Sequence, residues 1–325
     1  VRSFQVNKIQ QCRLPLVVIC GPTATGKTDT AVQIAERMRG EIVSADSMLV
    51  YRGMDIGTAK PTTAQMCGIP HYLIDIIEPD QEYNAAVFQV QARAVLEDII
   101  KRKKLPLLVG GTGLYIRAVI DNYDFSGISG SELYRKELQN EAADHGSALL
   151  HQRLQEIDPG AAAKFHPNDT RRIIRALEVY KLTGIPISSY HKIDQQGRPI
   201  YDLLMFGLTS DREKLYQRIE QRVDQMIKSG LVEEVQRLLN RGFSPELSSM
   251  RGLGYKEIAE HLAGRLSLVQ AVDILKRNTR RFAKRQMTWF RRDKRIRWLD
   301  PDQEDVAEAI ILEINRFIKG VSNSM

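Results

Sequence analysis

Long apolar runs are missing from this 325-residue chain. The longest, such as Leu16 to Cys20 and Leu105 to Val109, are far short of the ~18 residues a membrane-spanning helix needs. Cysteine is scarce: Cys12, Cys20 and Cys67 are odd in number and irregularly spaced, with no C-x-x-C pair or zinc-like Cys/His spacing. That excludes a secreted disulfide framework and leaves buried free thiols, as in a reducing cytoplasm. Repeats and low-complexity segments are absent too. With 43% hydrophobic and 27% charged residues, 22 Gly and 12 Pro, the composition is neither collagenous nor that of a mainly disordered chain. The length suits one large domain or two of ~150 residues, enough for a core without cross-links. Arg2, Lys8 and Arg13 before the first apolar run imitate a leader peptide, but no small-residue cleavage site follows, so the run reads as a strand. Residues 1–13 and 320–325 read as flexible ends.

What is present alternates. Leu16–Cys20 reads as a buried strand, Thr28–Arg39 as a helix with Ala31, Ile34, Ala35 and Met38 on one face, and Glu41–Ala45 as a second strand. Tyr72–Ile77 is a third strand candidate, Ala85–Lys103 a long helix, and Leu105–Val109 a strand running into Gly110-Gly111-Thr112-Gly113. Such alternation predicts an α/β fold, a parallel sheet with helices on both faces. Ser131 to Thr183 changes character, with helical periodicity and no strand-like run. Met205–Leu208 returns to the sheet and helices follow to about Arg292. The expected organisation is a core of residues 1–118 and 201–325 carrying a mostly helical insertion, residues 119–200.

Net charge is +7, from 47 basic and 40 acidic residues, but it is not spread evenly. Lys276 to Arg297 holds eleven basic residues and one acid, Asp293, so the rest of the chain sums to −3. At 100° per residue, the first eight of these cations share half a helical wheel, opposite Leu275, Phe282, Ala283, Trp289 and Phe290. The i,i+4 neighbours Lys276–Arg280, Arg277–Arg281, Arg280–Lys284 and Arg281–Arg285 repel. A one-signed face of this kind is the footprint of a polyanion, and nucleic acid is the expected partner.

Gly21-Pro22-Thr23-Ala24-Thr25-Gly26-Lys27-Thr28 matches G-x-x-x-x-G-K-[ST] between a strand and a helix. Backbone N–H groups at a helix N-terminus would cradle phosphates, Lys27 would add a point charge, and the Thr28 hydroxyl would bind Mg²⁺. Motor and switch NTPases also hold Mg²⁺ with an acid ending an apolar strand. Here Leu108-Val109-Gly110-Gly111 has no carboxylate, and Asp75 is a poor substitute. The strand-end acid is Asp46, placed where ligands bind in open parallel sheets; it reads either as a group acting on an acceptor or as a helix N-cap. Arg218, Arg222 and Gln225 lie on adjacent turns of one helix face, where arginine would clamp a leaving phosphate or simply face solvent.

Together these segments resemble the bacterial tRNA dimethylallyltransferases, the IPP transferase family. The resemblance spans nearly the whole chain. It rests on the phosphate loop, on Asp46-Ser47-Met48-Leu49-Val50-Tyr51-Arg52-Gly53-Met54-Asp55-Ile56-Gly57-Thr58-Ala59-Lys60-Pro61, and on Val109 to Tyr115. His166-Pro167-Asn168-Asp169, Arg175 to Val179, Gly252 to Glu257 and Lys284 to Arg291 complete it.

The resemblance implies a nucleotide-kinase-like core. It also implies transfer of a dimethylallyl group from its diphosphate to the exocyclic amine of adenosine 37, beside the anticodon of tRNAs reading codons that begin with U. By resemblance Asp46 takes the amine proton, Arg222 and Lys27 stabilise the leaving pyrophosphate, and Thr23 contacts the prenyl diphosphate. The implied tRNA contacts are Asp46, Ser47, Met48, Leu49, Arg171, Arg172, Arg175, Arg251, Gly254, Tyr255, Lys256, Lys284, Arg285, Gln286, Trp289 and Arg291. Thr112 would meet the flipped base and Arg135 would support the insertion. A monomer is expected, since tRNA itself covers a large surface. The rival expectations are a nucleoside or nucleotide kinase, which leaves the cationic helix unexplained, and an RNA-binding nucleotide switch, which lacks its acid.

Overall fold

A computed structural model describes residues 14–121, 131–189 and 200–322 of the chain. The elements run β1 (Leu16–Cys20), α1 (Lys27–Met38), β2 (Gly40–Ser44), α2 (Thr63–Met66), β3 (His71–Tyr72), α3 (Ala85–Lys101), β4 (Leu105–Gly110) and α4 (Gly113–Ile120). Next come α5 (Glu132–His145), α6 (Ser147–Ile157), α7 (Pro159–Ala162) and α8 (Thr170–Thr183). The last stretch holds β5 (Leu203–Leu208), α9 (Arg212–Lys228), α10 (Leu231–Asn240), α11 (Tyr255–Leu262), α12 (Leu268–Phe290), β6 (Ile296–Leu299) and α13 (Val306–Ser322).

The six strands form one sheet in the order β3-β2-β4-β1-β5-β6, every pair parallel. β1 is apolar throughout because both of its faces are covered. Val17 and Ile19 pack with α1 and α13, whereas Leu16, Val18 and Cys20 pack with α3 and α4. The chain leaves β1 toward β2 on one side and later returns as β5 on the other. The carboxyl end of β1 is therefore the switch point where such sheets bind ligands. A third core, built from Val50, Met54, Val235, Tyr255 and Leu275, joins the segment after β2 to α9–α12.

The described residues divide into two compact units, the first drawn from 14–120 and 201–322, the second holding residues 131–189. The second is helical, with Leu138, Leu150, Leu154, Ile173 and Leu177 at its centre. In it the fully buried carboxyl of Glu178 takes Arg135 Nε at 2.7 Å, Arg175 Nη1 at 2.5 Å and the Ser131 N–H at 2.8 Å.

Several expectations need correcting. Of the expected Tyr72–Ile77 strand only Tyr72 pairs with β2, alongside His71 before it, because Leu73 and Asp75 take φ of 63° and 55°, outside the extended region. β6 follows the cationic helix, and its Ile296-Arg297-Trp298-Leu299 pattern, too short to stand out among arginines, closes the sheet edge. Cys67 is exposed, at the left-handed end of α2, while Cys20 is buried and Cys12 lies outside the described residues. Residues 320–322 belong to α13, whose Val306, Ile310 and Ile314 are buried; the other expected flexible ends fall outside the described residues. Among those residues no helix is long and apolar enough to cross a membrane.

Candidate active site

The phosphate loop is held by its own polar groups. The Pro22 carbonyl accepts from Thr25 Oγ1 at 2.9 Å and from Lys27 Nζ at 2.5 Å. Gly21, with φ of 136°, lies so close to β5 that a Cβ there would sit 2.4 Å from the Leu208 carbonyl oxygen. Gly26 caps α1 in the left-handed region without a side-chain cap, so the first N–H groups of α1 are free for an anion.

Asp46 lies two residues past the buried end of β2. Its Oδ1 accepts the Met48 N–H at 2.9 Å, a turn contact two residues on rather than a helix cap. Around the loop the charges converge. Burial, then the field of Arg222, pushes the Lys27 ammonium down to about 8, against the opposing pull of Asp46. Arg222 is lowered by burial and supported by Asp46 and Asp29. Burial pushes the Cys20 thiol up to about 12, so it offers no thiolate nucleophile.

Two further loops close on this point. Gly110 ends β4 so near β2 that a Cβ would sit 2.2 Å from the Ala45 carbonyl oxygen. The Thr112 N–H donates to Ala45 O at 3.2 Å, and Thr112 Oγ1 accepts the Ser47 N–H at 3.2 Å. From α12, Gln286 Oε1 accepts the Thr23 N–H at 2.9 Å and its Nε2 donates to Gly111 O at 3.0 Å. Thr23, Lys27, Asp46, Thr112, Arg222 and Gln286 are thereby gathered at the carboxyl ends of β1, β2 and β4. The arrangement offers cations and free amides for a diphosphate, and a carboxylate on the adjoining strand.

The family model described as IPP transferase matches residues 49–293. The chain is 61% identical over 307 residues to a tRNA dimethylallyltransferase of Pelotomaculum thermopropionicum, covering 94% of this chain and 97% of the relative. It is 58% identical over 290 residues to that of Desulforudis audaxviator, covering 89% and 93%. The chain belongs to the IPP transferase family. The full-length tRNA isopentenylpyrophosphate transferase of Bacillus halodurans has a similar structure, with TM-score 0.70, 47% identity, and 95% and 96% of the two chains covered. A eukaryotic dimethylallyltransferase described as acting on tRNA gives TM-score 0.81 at 30% identity, covering 94% of this chain and 79% of its own. The family model begins after the phosphate loop and Asp46, while the alignment with the relatives spans nearly the whole chain. A kinase reading is not favoured.

For a member of the IPP transferase family, the cationic helix is less uniform than its sequence suggests. Lys276 pairs with Asp224 at 2.6 Å and Arg280 with Glu220 at 2.5 Å, both acids on α9. Part of the expected repulsion is thus relieved within the protein. Arg277, Arg281, Lys284 and Arg285 are exposed and make no ion pair among the described residues, and Arg285 stacks on Phe282. Arg291 and Arg292 lie past the helix end, and Arg297 pairs with Glu313 from β6.

Some residues expected at an RNA surface lie elsewhere. Tyr255 is completely buried, its hydroxyl bonded to Glu234, and Gly254 is buried beside it, so the compact core at the start of α11 removes both from any RNA surface. Gln286 is turned inward to the loops. Trp289 is half-buried against Gly113, where a Cβ would lie 2.1 Å from the indole. Arg251 is exposed and paired with Glu246, and Lys256 is exposed. Arg218 binds Asp302 and Ser210. In the helical unit, Arg171 and Arg172 are exposed on α8, with Arg172 3.3 Å from Asp169, while Arg135 and Arg175 share Glu178.

Glu234 is the functional-region residue the sequence reading missed. Its buried carboxyl accepts the N–H groups of Asp55, Ile56 and Gly57 at 3.0, 2.8 and 3.1 Å, plus the Tyr255 hydroxyl. This pins the segment running on from Asp46. The available signal was an acid on the apolar stripe of α10, between Leu231, Val235 and Leu238. Among the described residues no cluster of three carboxylate, His or Cys side chains would cage a metal. The Thr28 hydroxyl, in the first turn of α1, fits Mg²⁺ held chiefly by diphosphate oxygens and water.

Proposed function

We propose that this chain transfers a dimethylallyl group from dimethylallyl diphosphate to the exocyclic amine of an adenine in tRNA, releasing pyrophosphate. The acceptor is adenosine 37, next to the anticodon, in tRNAs that read codons beginning with U. The observation that carries the reading is the convergence of Lys27 and Arg222 with Asp46 at the phosphate loop. An adenine amine is a weak nucleophile because its lone pair is delocalised into the ring. As its nitrogen bonds to C1 of the allylic group, the C1–O bond breaks and the electron pair leaves with pyrophosphate. Asp46 accepts the amine proton. Lys27, Arg222 and the α1 amides stabilise charge on the departing oxygens, with Thr23 beside the diphosphate. Mg²⁺, held at Thr28, would supply further neutralisation of the diphosphate when bound.

A stacked base does not present its amine to a diphosphate in a pocket, so the adenine is flipped out of the anticodon loop toward Ser47 and Thr112. The exposed cations of α12, with Arg251, Lys256 and Arg291, take RNA phosphates. The helical unit, read as an insertion over residues 119–200, adds Arg171, Arg172, Arg175 and Arg135. The protein acts as a cytoplasmic monomer.

The test is incubation with unmodified tRNA, Mg²⁺ and labelled dimethylallyl diphosphate, beside a tube holding labelled ATP and nucleosides. Label entering tRNA, and lost when the adenosine beside the anticodon is replaced, is the expected result. Label moving from ATP to a nucleoside, with none reaching tRNA, overturns the reading.

A further inference from the structure

Gln286 sits among cations, with exposed Lys284 and Arg285 immediately before it, yet it is only 7% exposed itself. Both ends of its amide are engaged, the oxygen accepting the Thr23 N–H and the nitrogen donating to Gly111 O. Reversing the amide would set donor against donor and oxygen against oxygen, so the two bonds fix its orientation. The fit is close: a Cβ on Gly111 would lie 2.3 Å from Gln286 Nε2. The side chain is buried and turned toward the two loops, away from solvent.

The partner chosen on the phosphate loop is informative. The Thr23 N–H and the Pro22 carbonyl belong to a single peptide group, and in a trans peptide they point in opposite directions. The carbonyl side is gripped by Thr25 Oγ1 and Lys27 Nζ, and the N–H side by Gln286. Next in the chain is Ala24, a residue with a side chain at φ of 63°, a conformation that persists only where its surroundings hold it. Without Gln286 this peptide plane would be held from one side alone. Its rotation would carry away the carbonyl on which Lys27 rests.

Building on the proposed reaction, we infer that Gln286 is a positioning residue for the diphosphate: it fixes the Pro22–Thr23 peptide, and with it Lys27, and makes no RNA contact. The outward face of α12 binds RNA while its inward face sets the phosphate loop.

Gln286→Met keeps the side-chain volume and removes both bonds. The expected result is a Kd for inorganic pyrophosphate with Mg²⁺, and a KM for dimethylallyl diphosphate, raised about tenfold, the size of one well-made hydrogen bond. The Kd for unmodified tRNA, measured by binding alone, stays within about twofold. Hydrogen exchange of the Thr23 amide accelerates in the same variant. Arg285→Ala gives the opposite split, with weakened tRNA binding and unchanged pyrophosphate binding. Gln286→Ala repeats the measurement should the methionine variant melt early.

Weakened tRNA binding with unchanged pyrophosphate binding would make Gln286 an RNA contact and overturn the inference. So would no change in either, or equal loss of both with a lowered melting temperature in both variants. Failure of the wild-type protein to prenylate tRNA would sink the proposed reaction instead. The pyrophosphate and exchange readings would still decide the role of Gln286.

Discussion

Lys27 donates its ammonium to the carbonyl of Pro22, five residues earlier, so the cation meant for phosphate rests on its own loop. Burial and Arg222 lower it from an ordinary 10.5 to about 8. Only the protonated form attracts a diphosphate, so the contribution of Lys27 to affinity is full below neutral pH and lost as pH rises through about 8. A pyrophosphate titration should show Kd rising about tenfold between about pH 7 and about pH 9, a rise absent in Lys27→Ala. For stability the sign is opposite: between about 8 and 10.5 the unfolded chain binds the extra proton, so this group makes stability rise with pH.

Asp46→Asn keeps an oxygen for the Met48 N–H and removes the base. Turnover should fall about 10²- to 10⁴-fold, the usual worth of general base catalysis, while tRNA affinity changes little. Equal losses in both, read from single-turnover rates and filter binding, would remove Asp46 from proton transfer.

The two faces of α12 should separate by salt. Neutralising Arg277, Arg281, Lys284 or Arg285 one at a time should reduce the slope of log K for tRNA against log salt by about 0.7 to 0.9 each. Lys276 and Arg280 already face Asp224 and Glu220, so their alanine variants should leave that slope nearly unchanged.

Glu234→Ala would strand three backbone N–H groups and the buried Tyr255 hydroxyl. Urea unfolding should show a loss of about 3 kcal/mol, with Glu234→Gln losing less because it retains an acceptor oxygen.

Gly110→Ala would drive a Cβ against the Ala45 backbone, which has no side chain to move aside. The ends of β4 and β2 should part, costing about 1–3 kcal/mol in thermal unfolding. Turnover should fall with it, because Asp46 is the next residue after Ala45.

The sequence alone determined what contiguous residues dictate. The all-apolar β1 and β4, the glycine spacing of the phosphate loop, Asp46 at a strand end and the cationic stripe of α12 all follow from local stereochemistry and periodicity. Long-range packing decided the rest. No pattern near Gln286 says that its amide meets Thr23, 263 residues away, and its cationic neighbours suggested RNA instead. Glu234 looked like one more helix acid until folding brought Asp55, Ile56 and Gly57 to it. Lys276 and Arg280 shared a sign with their neighbours, and only the position of α9 gave them acids. Left-handed backbone at Leu73 and Asp75 cut β3 short despite its apolar residues. A polar side chain carries donors and acceptors that its sequence displays, but which partner each one finds depends on the elements that pack against it.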